Sequence, residues 1–438
     1  MKCIAKYNTG MVEQILPGGD ALVRMDGASV LVSNAVPGDV LELKMQGKRR
    51  GVLRGEIARV VEASQQRVQA PCVVAAQCGG CALQFIAEAQ QAELKSGWVR
   101  AAFKDLIEID TVVMDAGYDE ESDVESNGES NVESQGRRYR RRVRWFVAAD
   151  EQGSFLGFYA PASHQAIRHD SCMVVAPALN AVRQWIEHHI ALEAINSVQA
   201  VLLDDGIHIV LETDVCPVDV DSDIDLIDGF AVQWWWRDAQ RITRPLHKPV
   251  RVFHDVLPAG DREISLAVGP DDFVQGQQHG NEQLIRQIQQ WAGSVNRIAD
   301  LFCGIGNLSL PLAAATGAEV FAAELNPASV RAASSNAKRL AISAQCVVAN
   351  LFEDFDKEPY IGADVLILDP PRRGAKRLCK QLRALMPKKI IMISCDVAAG
   401  ARDGELLRDQ GYRLKALRAL DLFPFAGHVE AMSLWEPE

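Results

Sequence analysis

A thiol and a carboxylate stand 35 residues apart near the end of the chain, in Ile393-Ser394-Cys395 and His428-Val429-Glu430. Cysteine is the most nucleophilic side chain near neutral pH, and a carboxylate can act as the base that resolves a covalent adduct. Taken singly, such a Cys is as readily a small buried hydrophobe, and such a Glu a solvated surface acid. Upstream of both lies Asp300-Leu301-Phe302-Cys303-Gly304-Ile305-Gly306-Asn307, an apolar strand running into a glycine turn. A nucleophile, a base and a ligand-binding turn in one unit indicate covalent group transfer.

The elements that must position these residues begin at about residue 265. Arg297–Phe302, Val320–Glu324, Ala363–Asp369 and Lys389–Ser394 read as strands, with helical stretches between them, notably Pro327–Leu340. That alternation predicts a doubly wound α/β domain, whose ligands sit beyond the carboxyl ends of the strands. Gly304 and Gly306 fall at such an end, where a backbone can approach a ligand closely. Glu324 ends the next strand and can accept hydrogen bonds from both hydroxyls of a ribose. NAD enzymes share this geometry, but the third glycine of G-x-G-x-x-G is replaced by Ser309, which favours S-adenosylmethionine over a dinucleotide. Asp369-Pro370-Pro371-Arg372 is either a capped turn or part of the site, and its place at the same edge favours the second.

Residues 1–64 read as short strands, Ala21–Arg24, Ser29–Val32 and Val40–Leu43, separated by Pro-Gly turns, and predict a small β-barrel. Lys44, Lys48, Arg49, Arg50 and Arg54 give it a basic edge that a solvated face explains equally well. Residues 85–106 have helical spacing in Leu94, Trp98, Ala102 and Phe103. The acidic stretch after Gly117 has no apolar period and reads as a mobile loop or linker. The run Arg137–Trp145 follows it, either a charged linker end or a basic, aromatic strand suited to phosphate contact and base stacking. Strand packing accounts for Trp234-Trp235-Trp236 as well as a ligand would.

A chain of 438 residues accommodates two or three domains. It shows no signal-peptide pattern and no apolar run long enough to span a bilayer, so a cytoplasmic protein is expected. Its formal charge of −12 weighs against a nucleic-acid partner only weakly. Fourteen of the acids lie within residues 119–133 and 212–228, and the rest of the chain is net +2. Of ten cysteines, three cluster as Cys72, Cys78 and Cys81. Zinc would need a fourth ligand there, and a second C-x2-C pair is absent.

In this order along nearly the whole chain, the motifs resemble the RNA 5-methyluridine methyltransferases, and most closely their iron–sulfur branch acting on 23S ribosomal RNA. The resemblance rests on Cys72-x5-Cys78-Gly79-Gly80-Cys81, Phe273-Val274-Gln275, Asp300–Asn307, Asp369–Arg372, Ser394-Cys395, Phe423-Pro424 and His428–Glu430. It implies a multidomain α/β protein: a TRAM-like β-barrel over 1–64, a central α+β iron–sulfur and RNA-binding domain over 65–264, and a Rossmann-like methyltransferase domain over 265–438. Helix 85–106 would pack on the last of these. The implied reaction is S-adenosylmethionine-dependent methylation of uridine C5 in 23S rRNA, with Cys395 adding to C6 and Glu430 removing the C5 proton. Gln275, Phe302, Asn307, Glu324, Asn350 and Asp369 would hold S-adenosylmethionine. Cys172, far downstream, would join Cys72, Cys78 and Cys81 around a [4Fe–4S] cluster. The base would be flipped out of its RNA stack, and the enzyme would be a monomer.

Four positions depart from the family's usual residues: Gln277 for Asn, Asp396-Val397 for Asn-Pro, and Ala426 for Thr. A transfer-RNA uridine methyltransferase is an alternative that the cysteine cluster opposes. A TRAM-type RNA-binding protein with weakened catalysis is another, opposed by the intact Cys395 and Glu430.

Overall fold

The computed structural model describes residues 8–25, 27–49, 51–114, 137–216 and 224–438. The acidic stretch 119–133 lies outside them, as do Asp219, Asp221 and Asp223 of the second acidic segment.

At the N-terminus five strands close into a barrel: Asn8–Ile15, Ala21–Met25, Ala28–Val32, Val40–Arg49 and Val52–Glu62. Alternate residues point inward, so Val12, Val23, Val30, Leu41 and Leu43 fill the interior and the residues between them face water. The first and last strands fall outside those the sequence pattern picked out. Both are rich in polar residues, and only closure of the barrel gives them an inner face.

The central sheet places Arg142–Asp150 between Ser197–Leu202 and Gly153–Tyr159, with Ile207–Glu212 and Phe230–Arg237 continuing it. Helix Pro177–His189 covers one face through Leu179, Val182 and Ile186. Trp145, in the run read as suited to base stacking, is core instead, and Trp234 packs in the core as strand packing allowed; both are at most 1% exposed. Two of the strand's arginines are also occupied, Arg141 by Asp255 and Arg144 by Glu212. Pleating explains the outcome, because alternate side chains of a sheet strand must enter the core.

The C-terminal sheet has eight strands in the order Ala344–Val348, Glu319–Glu324, Arg297–Leu301, Val365–Leu368, Ile390–Ser394, Glu430–Pro437, Tyr412–Leu420 and Val112–Met114. Its first five strands are parallel and Glu430–Pro437 runs antiparallel between its neighbours. The chain reverses direction across the sheet at Arg297–Leu301, which is where a doubly wound sheet opens a ligand crevice. Helix Glu88–Phe103 and strand Val112–Met114 join this sheet from the middle of the sequence. Trp98, Val99 and Phe103 share a core with Leu407, Leu417 and Trp435, and the Trp98 indole donates to Ile15 O of the barrel at 2.9 Å. Among the described residues no helix is long and apolar enough to cross a membrane.

Candidate active site

Strand register brings the thiol and carboxylate together. The ladder ends with Ser394 paired to Ala431, and Cys395 and Glu430 are the next residues of the two strands, so both come to the same end of the sheet and line one cavity. Asp369 follows the neighbouring strand Val365–Leu368 at the same edge. Burial raises Asp369 to about 7. Burial, with Asp369 adding to it and Arg372 opposing, raises Glu430 to about 8. The Cys395 thiol is pushed up to about 11 by burial, Glu430 and Asp369, again against Arg372. Three acidic groups share one low-dielectric corner, and their mutual repulsion disfavours ionising all of them together.

The glycine turn lies beside them. Phe302, Gly304 and Gly306 all have positive φ, at 79°, 55° and 89°. A Cβ on Gly306 would lie 2.6 Å from Leu310 Cδ1, so only glycine fits there. Gly304 N donates to Glu324 Oε2 at 3.4 Å, and Glu324 Oε1 accepts from Asn326 N at 2.9 Å. Ser309, in place of a third glycine, donates its hydroxyl to the buried Asp300 carboxylate. Burial raises Asp300 to about 7, with Asp369 and Glu324 contributing, and its Oδ1 has no partner.

A cavity of about 990 Å³ unites these groups, lined by Gln275, Phe302, Glu324, Asp369, Cys395 and Glu430. Two of the expected residues are turned elsewhere. The amides of Asn307 and Asn281 bond each other at 2.9 Å, and Asn350 Oδ1 accepts from Phe352 N at 3.2 Å. Arg372 lines the cavity as its motif's place at the strand edge suggested, and Arg140, Phe273, Phe352, Phe423 and His428 line it too, though sequence reasoning gave none of these five a role in it. Phe273 is 61% exposed beneath the Arg142 guanidinium, 5.3 Å from the ring centroid. Its signal was adjacency to Gln275; its exposure is decided by the fold. Asp396 caps helix Val397–Asp409 by accepting from Ala399 N at 2.9 Å, a role Asn and Asp fill about equally. Gln277 is buried and bridges to Arg140, and its Oε1 has no partner.

The loop leading into Glu430 is gripped from far away in sequence. Lys95, fully buried, reaches Asp421 Oδ1 at 2.7 Å and Phe423 O at 2.9 Å. Gln91 Oε1 accepts from Phe425 N at 3.0 Å, Leu83 N donates to Phe425 O at 2.8 Å, and Gly18 N donates to Gly427 O at 2.7 Å. The Tyr139 hydroxyl donates to Pro424 O at 3.0 Å.

Behind this loop four thiols converge. Phe425 packs on Cys81 and Val174, with Cys172 and Tyr139 alongside. Cys78 is raised by burial and then by Cys172 and Cys72, and Cys81 is raised to about 12 by burial with Cys172 and Cys78 adding. Arg140 opposes both shifts. Among the described residues, no three Cys, His, Asp or Glu side chains close on a single-ion site.

A family model described as "Methyltransferase small domain" matches residues 275–388. The chain is 31% identical to the 23S rRNA (uracil(1939)-C(5))-methyltransferase RlmD of Pectobacterium atrosepticum, over 98% of this chain and 94% of that one. It is also 31% identical to the protein of the same name from Pseudomonas aeruginosa, over 99% and 95%. Its fold matches that of the tRNA (uracil-54, C5)-methyltransferase of Pyrococcus abyssi, solved with S-adenosyl-L-homocysteine, at a TM-score of 0.75 and 19% identity over 98% and 99% of the two chains. Identity at that level across almost the entire length leaves no part of the architecture unmatched, and the chain belongs to the RlmD family of RNA (uracil-C5)-methyltransferases.

Proposed function

We propose that this enzyme methylates C5 of one uridine in 23S ribosomal RNA, with Cys395 as nucleophile and Glu430 as base. The single observation that carries the assignment is the meeting of Cys395 and Glu430 in one cavity with the glycine turn. Uracil C5 is a poor nucleophile. Addition of the Cys395 thiolate to C6 converts the ring to an enolate whose C5 can attack a methyl group. Glu430 then takes the C5 proton, the C6–S bond breaks, and the methylated base leaves. S-adenosylmethionine supplies the electrophilic methyl group, and its positive sulfonium favours the ionised forms of the nearby acids.

Glu324 would hold the donor's ribose, and Gln275, Phe302 and Asp369, which line the same cavity, would wall the remainder. Asn307 and Asn350 would reach it only by exchanging their present hydrogen bonds. Phe273, Phe423 and His428 offer the flipped base stacking and edge contacts. Burial, with Arg372, Lys95 and Arg140 adding, lowers His428, so the imidazole is neutral at pH 7.

The four thiols make an all-sulfur donor set of the kind that iron–sulfur clusters use. They lie near enough to sense one another's charge. Cys72, Cys78, Cys81 and Cys172 would be the ligands of a [4Fe–4S] cluster, with Arg140 offsetting the negative charge. The methyl transfer needs no electron, so these residues serve to hold the Phe425 loop.

Purified enzyme incubated with labelled S-adenosylmethionine and total RNA from a strain lacking it tests the assignment. 5-Methyluridine at one position of 23S rRNA is expected. Label confined to tRNA would overturn the choice of substrate.

A further inference from the structure

Between Pro370 and Cys395 the chain carries eight Lys and Arg and no Asp or Glu, against a formal charge of −12 overall. The fold sorts this segment. Leu378, Cys379, Leu382 and Leu385 are turned inward at 2% exposure or less, and Arg373, Lys376, Arg377, Lys380 and Arg383 are left exposed. Among the described residues these five make one ion pair, Arg377 with Asp354 at 3.0 Å, and both partners are substantially exposed. Arg373 lies over the Phe352 ring, 3.3 Å from its centroid.

These cations border hollows that open into one another. A hollow of about 370 Å³ shares Phe352 and Arg373 with the active cavity and extends to Lys380. A second, of about 500 Å³, shares Lys380 and reaches Arg383. On its other side the active cavity shares Arg372, Cys395 and His428 with a hollow of about 380 Å³, which in turn shares Gly18 with a groove of about 890 Å³ along the barrel's Lys48 and Arg49. A series of hollows linked by shared lining residues therefore runs to either side of Cys395, with cations at both ends. The barrel end is the more self-neutralised, since Arg54 pairs with Asp20 and Arg67 with Asp39.

We propose that the Arg373–Arg383 face binds the sugar-phosphate backbone of the substrate RNA on one side of the target uridine. The proposal rests on the uridine-methylation reading. A backbone path explains a row of exposed cations that meets the active cavity at an arginine stacked on an aromatic ring, because phosphates fix register while the flipped base enters the pocket. The face carries no base-reading pattern, so it contributes affinity and orientation, without sequence choice.

The test compares the wild type with the quadruple variant K376Q/R377Q/K380Q/R383Q and with a control, R286Q/R331Q/K338Q, built from exposed cations on other helices. Binding of a single-stranded 23S rRNA fragment is measured from low to moderate salt. The slope of log affinity against log salt should fall by up to about 3 for the quadruple variant, at about 0.7 per phosphate contact, and stay put for the control. KM for RNA should rise at least tenfold in the quadruple variant, with kcat at saturating RNA and S-adenosylmethionine affinity within twofold of wild type. An unchanged slope, or an equal loss in the control, overturns the proposal. If the wild type methylates no uridine, the uridine reading fails by itself, and the salt slopes still decide whether this face binds RNA.

Discussion

Cys395 and the four-cysteine cage are both thiol sites within one chain, and their surroundings ask for opposite partners. At Cys395 the neighbours are two buried carboxyls, Glu430 and Asp369, and the one nearby cation is Arg372. At the cage the neighbours are other thiols, and the cation is Arg140. Burial raises the thiols in both places. A cationic methyl donor suits the first site, because its charge favours the ionised carboxylate that the proposed base needs. At the second, burial and neighbouring thiols keep the cysteines protonated, and the proposed cluster would hold them as thiolates. The same side chain is thus nucleophile or ligand according to what surrounds it. Cys379, wholly buried among apolar residues, is neither.

Cys395→Ala breaks the first site most completely. Turnover should vanish, by at least about a thousandfold, while S-adenosylmethionine affinity measured by calorimetry stays within about twofold, because the thiol acts on the base. Residual methylation near wild-type rates would end the covalent mechanism.

Glu430→Gln should slow turnover by roughly 10²–10⁴-fold and do so at adduct resolution, so an enzyme–RNA species resistant to denaturing gels should accumulate. The pH profile sharpens this. The base must be ionised, so wild-type kcat/KM should climb as pH rises through about 8, and the variant's profile should lose that limb. The sign for stability is the reverse. Folding raises Glu430 above its ordinary value, so its contribution is present at low pH and is lost as pH rises through about 8.

The second site is tested by metal content. Protein purified without oxygen should hold about four irons and four sulfides per chain. Cys72→Ser, Cys78→Ser, Cys81→Ser or Cys172→Ser should each lose most of that iron, and Cys216→Ser should not, since a hydroxyl is a poor substitute for thiolate. One zinc and no iron would overturn the assignment.

Lys95→Met probes the loop between the two sites. It leaves Asp421 without its partner and should cost about 3–5 kcal/mol of stability by urea denaturation. Unchanged stability would mean that the clamp holds nothing. Phe273→Ala carries the smallest effect, a loss of about 1–3 kcal/mol in RNA binding if its exposed ring stacks on a base.

The resemblance rests on local strings, and these gave the glycine turn, the strand-end acids and the cysteine spacing. Such features are readable because a strand, a turn and a helix cap depend on residues a few positions apart. The basic run Arg137–Trp145 misled for the complementary reason: whether Trp145 faces water or core depends on which face of its strand meets helix Pro177–His189. Nothing local reveals that Lys95 and Gln91 would hold a loop more than three hundred residues downstream.

By itself the sequence determined which chemistry was available: a thiol, a carboxylate, a nucleotide-binding turn and four candidate ligands. Tertiary structure alone decided that Cys395 and Glu430 meet, because the 34 residues between them fold back so that the strand after them runs antiparallel to the one before, and pairing between distant strands is set by global packing. It also decided that both groups titrate far from their ordinary values, since desolvation belongs to the folded environment and cannot be read from residue type.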